Sequence, residues 1–253
     1  MLRNVKAYER PASVEDAVAL VQSTPNAAYL GGGAWLTAQA DPHLETIVDL
    51  QDIGLDGIET EFESVRIGAM VRLQALIDHP DVGKMADGVL GTAAGLVQSR
   101  TLREQGSVGG ALIVAGPADP LTTALLVLES EIRYADPAVH TAPFMSFVAY
   151  RDRLIETQVL LTELRLQRPA ARSAAAFEFV GRSPKDKPIV CVAAHITVEE
   201  GLPSSLRLAL GGVAPQPVRL HKTEHRVRGK LLNAERIRSE EHTSELQSPL
   251  CIS

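Results

Sequence analysis

The stretch "AAYLGGGAWLTAQ", residues 27–39, sets three consecutive glycines between an apolar run and a tryptophan. Glycine tolerates positive φ and lets other groups approach the main chain without meeting a Cβ. A strand ending near Leu30 must therefore either turn sharply or offer bare N–H groups to a ligand such as a phosphate. Taken alone, the segment reads equally well either way. A second glycine-rich stretch, "EQGSVGGALIVAGPADP" at residues 104–120, adds a Ser107 hydroxyl, the bare backbone of Gly109 and Gly110, and Asp119 between Gly116–Pro117 and Pro120. Two such segments, one in each of two structural units, can border a common cleft.

The surrounding sequence supplies those units. "SVEDAVALVQ" has Ser13 as a cap and apolar residues at 14, 17, 18 and 21, the spacing of an amphipathic helix. "AAYL" and "ETIVDL" read as buried strands on either side of the triple glycine. A second unit follows, with "SVRIGAM" as strand, "RLQALIDHP" as helix, and "ADGVLGTAAGLVQSR" as one longer helix of small residues. Asp119 and Pro120 mark the start of a helix over "LTTALLVL", the acid as N-cap and the proline at N1. "EIRYADP" and "QVLLTELRLQRP" are strand-like, and Pro169 with "AARSAA" marks a boundary. Beyond it, "AAFEFVGR", "PIVCVAAHITVEEG" and "SLRLALGGVA" alternate between turn signals as an antiparallel meander does. "HKTEHRVRGKLLNAERI" begins a basic helical region.

Chemistry carried by side chains is sparse. The triple glycine lacks the Gly-Lys-Ser/Thr of a phosphate-binding P-loop. It also makes a poor dinucleotide fingerprint, because Gly31 and Gly33 fit two positions while no third glycine lies near Thr37. Asp49 or Asp52 stands near the distance at which such a fingerprint places its acid, so a Rossmann-type NAD(P) dehydrogenase remains an alternative. His221 and His225 share a helical face without a third metal ligand nearby, and a solvated basic helix is the simpler reading. Cys191 and His195 fall in a buried strand and read as core residues. Trp35 reads as a packing residue over the glycines. No nucleophile elbow or zinc-protease motif occurs, so no catalytic side chain and no metal ligand is assigned. Two bare-backbone segments without reactive side chains suit a cofactor that brings its own chemistry.

Charge and cysteine content narrow the partners. The net charge of −6 without a basic cluster argues against a nucleic-acid surface. Two cysteines, Cys191 and Cys251, are too few for an iron–sulfur cluster within the chain. With no apolar run long enough to span a bilayer and no signal-peptide pattern, a cytoplasmic location is expected. The last stretch, "RSEEHTSELQSPLCIS" at 238–253, is abruptly polar, and residues 238–248 match the translation of a sequencing-adapter oligonucleotide. It is set aside as a non-native tail, with the natural sequence expected to continue past about Ile237.

In order and spacing these pieces resemble the FAD-binding medium subunits of molybdenum hydroxylases, the xanthine dehydrogenase and carbon monoxide dehydrogenase group. Arg10–Val21 is similar to the family's "RPxSLxEALxLL" opening, Leu30–Leu36 to its "LAGGTDL" phosphate loop and Ile47–Leu50 to its "LVDL" strand. "VRIGAMVRLQALIDHP", "GSVGGALIVAGPADPL" and "LALGGVAPQPVR" are similar to three further family segments, so the resemblance runs from about Tyr8 to about Lys230.

The resemblance implies an α+β protein. A two-lobed FAD-binding domain of the PCMH, or vanillyl-alcohol-oxidase-like, type would occupy residues 1–168, built of two α/β subdomains. A small antiparallel-sheet C-terminal domain, incomplete, would occupy 169–237. It implies FAD with Leu30, Gly31, Gly32, Gly33, Ala34 and Trp35 along the pyrophosphate. Ser107, Val108, Gly109, Gly110 and Ala111 would lie on the flavin side, and Asp119 on sugar or ribityl hydroxyls. The implied partners are a large subunit with the molybdenum cofactor and a small subunit with two [2Fe–2S] clusters, in a heterotrimer or its dimer, with NAD or another electron acceptor. The sequence departs from the family pattern at Ala34-Trp35 (Thr-Asp in the family), Ser107 (Thr) and Ala111 (Asn). Those departures sustain a second alternative, a non-catalytic assembly subunit that has lost FAD.

Overall fold

The computed structural model describes residues 4–97, 99–183 and 186–230, so the tail at 238–253 and the expected continuation past Ile237 lie outside the described residues. Three sheets organise the described residues. The first is parallel, with β1 (Ala7–Glu9) and β2 (Ala27–Leu30) flanking β3 (Thr46–Asp49). Helix α1 (Val14–Ser23) buries Ala17, Val18 and Val21 against it, and the Ser13 hydroxyl accepts from the Asp16 N–H at 3.0 Å, as the sequence pattern predicts. The short helix α2 (Ala34–Gln39) follows the triple glycine directly, with Gly33 at φ +77° as its N-cap. All four residues of β3 are buried, which explains why "TIVD" reads as a continuous rather than an alternating strand.

The second sheet is antiparallel, in the order β4 (Ile58–Thr60), β5 (Ser64–Gly68), β8 (Leu160–Gln167), β6 (Ser130–Asp136), β7 (Ala138–Pro143). Its helices are α3 (Leu73–Asp78), α4 (Val89–Gly95), α5 (Arg100–Gln105), α6 (Val108–Ile113), α7 (Pro120–Val127) and α8 (Phe144–Glu156). The long small-residue helix expected over "ADGVLGTAAGLVQSR" is instead the shorter α4, and the next helix, α5, begins only at the last residue of that stretch. The backbone at Ala86, Asp87 and Gly88 has positive φ, so helix cannot begin before Val89. Ser99 starts a new helix, its hydroxyl 3.5 Å from the Leu102 N–H. Within the glycine loop expected over 104–120, residues 108–113 likewise form a helix, α6, capped by Ser107.

The third sheet, β12 (Val218–Arg219), β11 (Leu202–Gly211), β10 (Val190–Glu199) and β9 (Ser173–Val180), is antiparallel throughout, with α9 (His221–Val227) beside β11. It docks on α7, every residue of which is buried. A helix apolar all round needs cover on all sides, and here α4, β6, β10 and β11 provide it. Both ends of α7 are capped. Asp119 Oδ1 accepts from the Thr122 N–H at 2.7 Å, while Arg219 and Arg207, from the third sheet, donate to Leu126 O at 3.3 Å and Val127 O at 3.5 Å. Cations there offset the partial negative charge of the helix C-terminus.

Candidate functional site

Where the first two sheets meet, β2, α2, the turn after β5, α6 and the α6–α7 connection enclose a cavity of about 570 Å³, to which Lys187 and Pro188 of the β9–β10 connection add one wall. A ligand-sized cavity at a junction of structural units is where binding sites concentrate. Of the residues proposed from sequence, Gly31, Gly32, Gly33, Ala34, Trp35, Ser107, Gly109, Gly110, Ala111 and Asp119 line it. Leu30 and Val108 do not. Strand alternation turns Leu30 under Gly33, whose added Cβ would meet the Leu30 side chain at 3.3 Å, and Val108 is buried in the main core.

The two glycine segments touch rather than merely face each other. A Cβ on Gly31 would lie 2.6 Å from Ser107 Oγ, and one on Gly32 only 1.7 Å from Gln105 O. Their bare backbone is therefore needed first for the joint between the sheets. Gly109, at the start of α6, has the same role: its N–H donates to Ala69 O at 2.8 Å, and a Cβ there would meet Ala69 Cβ at 2.9 Å.

The segments differ in what their N–H groups have left to give. At the start of α6, the N–H of Val108 bonds Val71 O at 2.9 Å, that of Gly109 bonds Ala69 O, and that of Gly110 bonds Ser107 Oγ at 3.2 Å. This helix start, expected from sequence to offer its backbone to a ligand, has spent it on the protein. Along the first segment, no hydrogen bond within the described residues engages the N–H groups from Gly31 through Leu36, and α2 has no side-chain cap. Unpaired N–H groups lining a cavity call for an acceptor, and their concentration before a helix start favours an anion.

Among the described residues two charged side chains line the cavity, Asp119 and Lys187. Burial pushes the Asp119 carboxyl up from its ordinary value, against the Thr122 hydrogen bonds and the charges of Arg151 and Lys187. Arg151, buried on α8, donates from Nη1 to Ala115 O at 2.6 Å and so holds the α6–α7 connection in place. The remaining walls are mainly apolar, from Leu50, Leu73, Leu96 and Leu160 among others, with the Tyr29 hydroxyl donating to Gln158 O at 3.1 Å. Trp35 lines the same cavity and is 43% exposed.

Residues of the alternative readings are otherwise engaged. Asp49 accepts from the Tyr8 hydroxyl and from Gln51 Nε2 at 2.8 Å, and Asp52 pairs with Arg10 at 2.7 Å. Neither lines the cavity, which removes the acid that a dinucleotide fingerprint needs. His221 lies 3.3 Å from Glu224, and among the described residues no group of three His, Cys, Asp or Glu is placed to hold a metal. Cys191 and His195 are core residues, as expected. Burial raises the thiol pKa and lowers that of the imidazole. No helix of the described residues is long and apolar enough to cross a membrane.

Comparison with known proteins agrees with this geometry. Residues 3–168 match the model of the FAD binding domain in molybdopterin dehydrogenase, and residues 175–242 that of the CO dehydrogenase flavoprotein C-terminal domain. The chain is 31% identical to the uncharacterized protein YgfM of Escherichia coli strain K12 over 223 residues, 87% of this chain and 79% of that protein. It is 29% identical to the carbon monoxide dehydrogenase medium chain of Hydrogenophaga pseudoflava over 242 residues, 92% of this chain and 83% of the other. A solved structure of carbon monoxide dehydrogenase from Hydrogenophaga pseudoflava, lacking the Mo-pyranopterin moiety of its cofactor, superimposes with a TM-score of 0.84 at 28% identity. That match covers 93% of this chain and 84% of that one.

Proposed function

The chain belongs to the FAD-binding subunits of the molybdopterin dehydrogenase family, oxidoreductases, and from that premise we propose that it relays electrons from the [2Fe–2S] clusters of a small partner subunit to NAD or another acceptor. A large partner subunit would carry the molybdenum cofactor, and the three chains would assemble as a heterotrimer or its dimer, in the cytoplasm. FAD, when bound, supplies the redox chemistry, accepting electrons singly from clusters and delivering a pair to a hydride acceptor.

The observation that carries this reading is the run of unpaired N–H groups from Gly31 through Leu36 along one side of a ligand-sized cavity. It fits the pyrophosphate of a dinucleotide, which needs donors and no Cβ in its way. Ser107, Gly110 and Ala111 border the same cavity and leave room beside α6 for the flavin. Asp119 spends one carboxylate oxygen on Thr122 and faces the cavity, so it supports a contact to sugar or ribityl hydroxyls. Ala34 and Ala111 lack the polar side chains of the family pattern but leave every main-chain donor of the first segment in place. That favours retention of FAD over the assembly-subunit alternative. Residues 1–168 then form the flavin domain and 169–237 a C-terminal domain, whose docking on α7 brings Lys187 to the cavity wall.

The test of the relay is anaerobic addition of NADH to the FAD-loaded chain co-purified with its two partner subunits. Bleaching of the flavin absorbance supports NAD as acceptor. An unchanged spectrum, with bleaching by the large subunit's substrate, moves the acceptor elsewhere; no bleaching by either contradicts the relay.

A further inference from the structure

The two glycine segments belong to different sheets, and one cation joins them. Arg72, in the turn after β5, lies against the Gly31–Gly32 peptide. Its Nη1 donates to Gly31 O at 3.4 Å and also to Gln105 O, the last residue of α5. A Cβ on Gly32 would lie 2.5 Å from that nitrogen. The Arg72 main chain belongs to the same joint: it bridges Ser107, with Leu73 N–H to Gly106 O at 3.0 Å and Val108 N–H to Val71 O at 2.9 Å on either side.

Arg72 also stands apart electrostatically. Arg66 and Arg165, on the five-stranded sheet, pair with Glu59 and Glu61. Among the described residues Arg72 forms no ion pair, and its guanidinium contacts only carbonyl oxygens. A partly buried cation without a counter-charge favours an anion nearby. The unpaired N–H groups adjoining it favour one at the same place.

We propose that Arg72 is the positioning residue of the anion cradle. It clamps the Gly31–Gly32 peptide to the end of α5, so that the following N–H groups keep one orientation, and it leaves a net positive charge behind them. The anion is the pyrophosphate of the cofactor, so the proposal rests on the flavin reading above. The guanidinium suits the task because its donors are rigidly arranged and permanently charged.

The experiment measures binding of FAD, ADP and riboflavin to the full-length protein stripped of cofactor, for wild type, R72M, R72Q and R72K, each with a thermal melt. ADP carries the pyrophosphate without the flavin, and riboflavin the reverse. The expected result is that R72M weakens FAD and ADP by a common factor of about tenfold or more. Riboflavin binding should hold within about twofold, and the salt dependence of FAD binding should flatten. R72K should recover most of the loss and R72Q little of it; this comparison stands if R72M does not fold. FAD and ADP bound as tightly by folded R72M or R72Q as by wild type would overturn the Arg72 assignment alone. Equal weakening of all three ligands would also overturn it, as general damage. A folded wild type that binds neither FAD nor ADP would overturn the flavin reading itself.

Discussion

Replacing Gly32 by alanine separates a cradle built from main chain from an ordinary turn. The added Cβ would sit 1.7 Å from Gln105 O and 2.7 Å from the carbonyl carbon, both backbone atoms that no rotamer change can move aside. Ordinary contact begins near 3.4 Å, so the separation has to double. The first glycine segment must move away from α5, breaking the Arg72 contact to Gly31 O and re-aiming the N–H groups behind it. Hydrogen bonds to a charged acceptor are worth about 1.5–3 kcal/mol each. Losing two costs about 3–6 kcal/mol, or about 10²–10⁴-fold in Kd for FAD. Overpacking adds a stability cost of about 1–3 kcal/mol. Flavin fluorescence on titrating stripped protein gives the affinity, and circular dichroism the fold. Gly57→Ala is the control, because its Cβ meets nothing within 4 Å; surface changes of that kind stay within about 0.5 kcal/mol. A folded Gly32→Ala protein that binds FAD within about threefold of wild type would rule out a cradle held in register by this joint.

Asp119 caps α7 while facing the cavity, and the two roles separate by substitution. Asp119→Asn keeps a good cap and removes a carboxylate that burial disfavours, so the cofactor-free protein should melt no lower than wild type while FAD binds more weakly; Asp119→Ala should lose about 1 kcal/mol of stability in the same melt. Burial raises Glu224, but hydrogen bonds from Arg219 at 2.6 Å and from the Leu208 N–H at 2.8 Å outweigh it, and the net pKa is lowered. Its contribution to stability is therefore present above the unfolded carboxylate pKa of about 4.3 and lost as pH falls through the lower folded value. Denaturant midpoints followed down that window should fall for wild type and flatten for Glu224→Gln, while Glu224→Ala, which leaves Arg219 without its carboxylate, should lose about 3 kcal/mol near pH 7. An unaltered acid limb in Glu224→Gln would contradict the assignment.

What the sequence discloses here is local. Ser13 and Asp119 announce their helices because a cap is a short-range hydrogen bond, and "TIVD" announces a strand because both its faces are covered; "AAYL", of which only Ala27 is buried, announces one by its apolar run alone. The triple glycine points to the cavity. It does not reveal that Gly32 and Gly109 are bare because other main chain lies against them, since Gln105 and Ala69 are remote in sequence and contribute backbone atoms. Nor can the sequence tell that the N–H groups of Val108, Gly109 and Gly110 are consumed by the protein while those after Leu30 are not. Arg72 leaves no signal because its partners are carbonyls, which every residue carries. Helix α8 has Pro143 at its N-cap and so no side-chain cap, and its mark is Phe144, Phe147, Val148 and Arg151 on one buried face. Lys187 reaches the cavity only through the docking of the third sheet on α7, a long-range event with no local pattern.

Whether the N–H groups from Gly31 through Leu36 and the cavity beside them hold one FAD is decided by the flavin content of the purified protein. Visible absorbance and chromatography of the released cofactor give that content, and the measurement is repeated after adding FAD to stripped protein. Close to one FAD per chain is expected, recovered on reconstitution and lost in Gly32→Ala. A folded, colourless protein that takes up no added FAD would contradict the assignment of this cavity to the flavin cofactor.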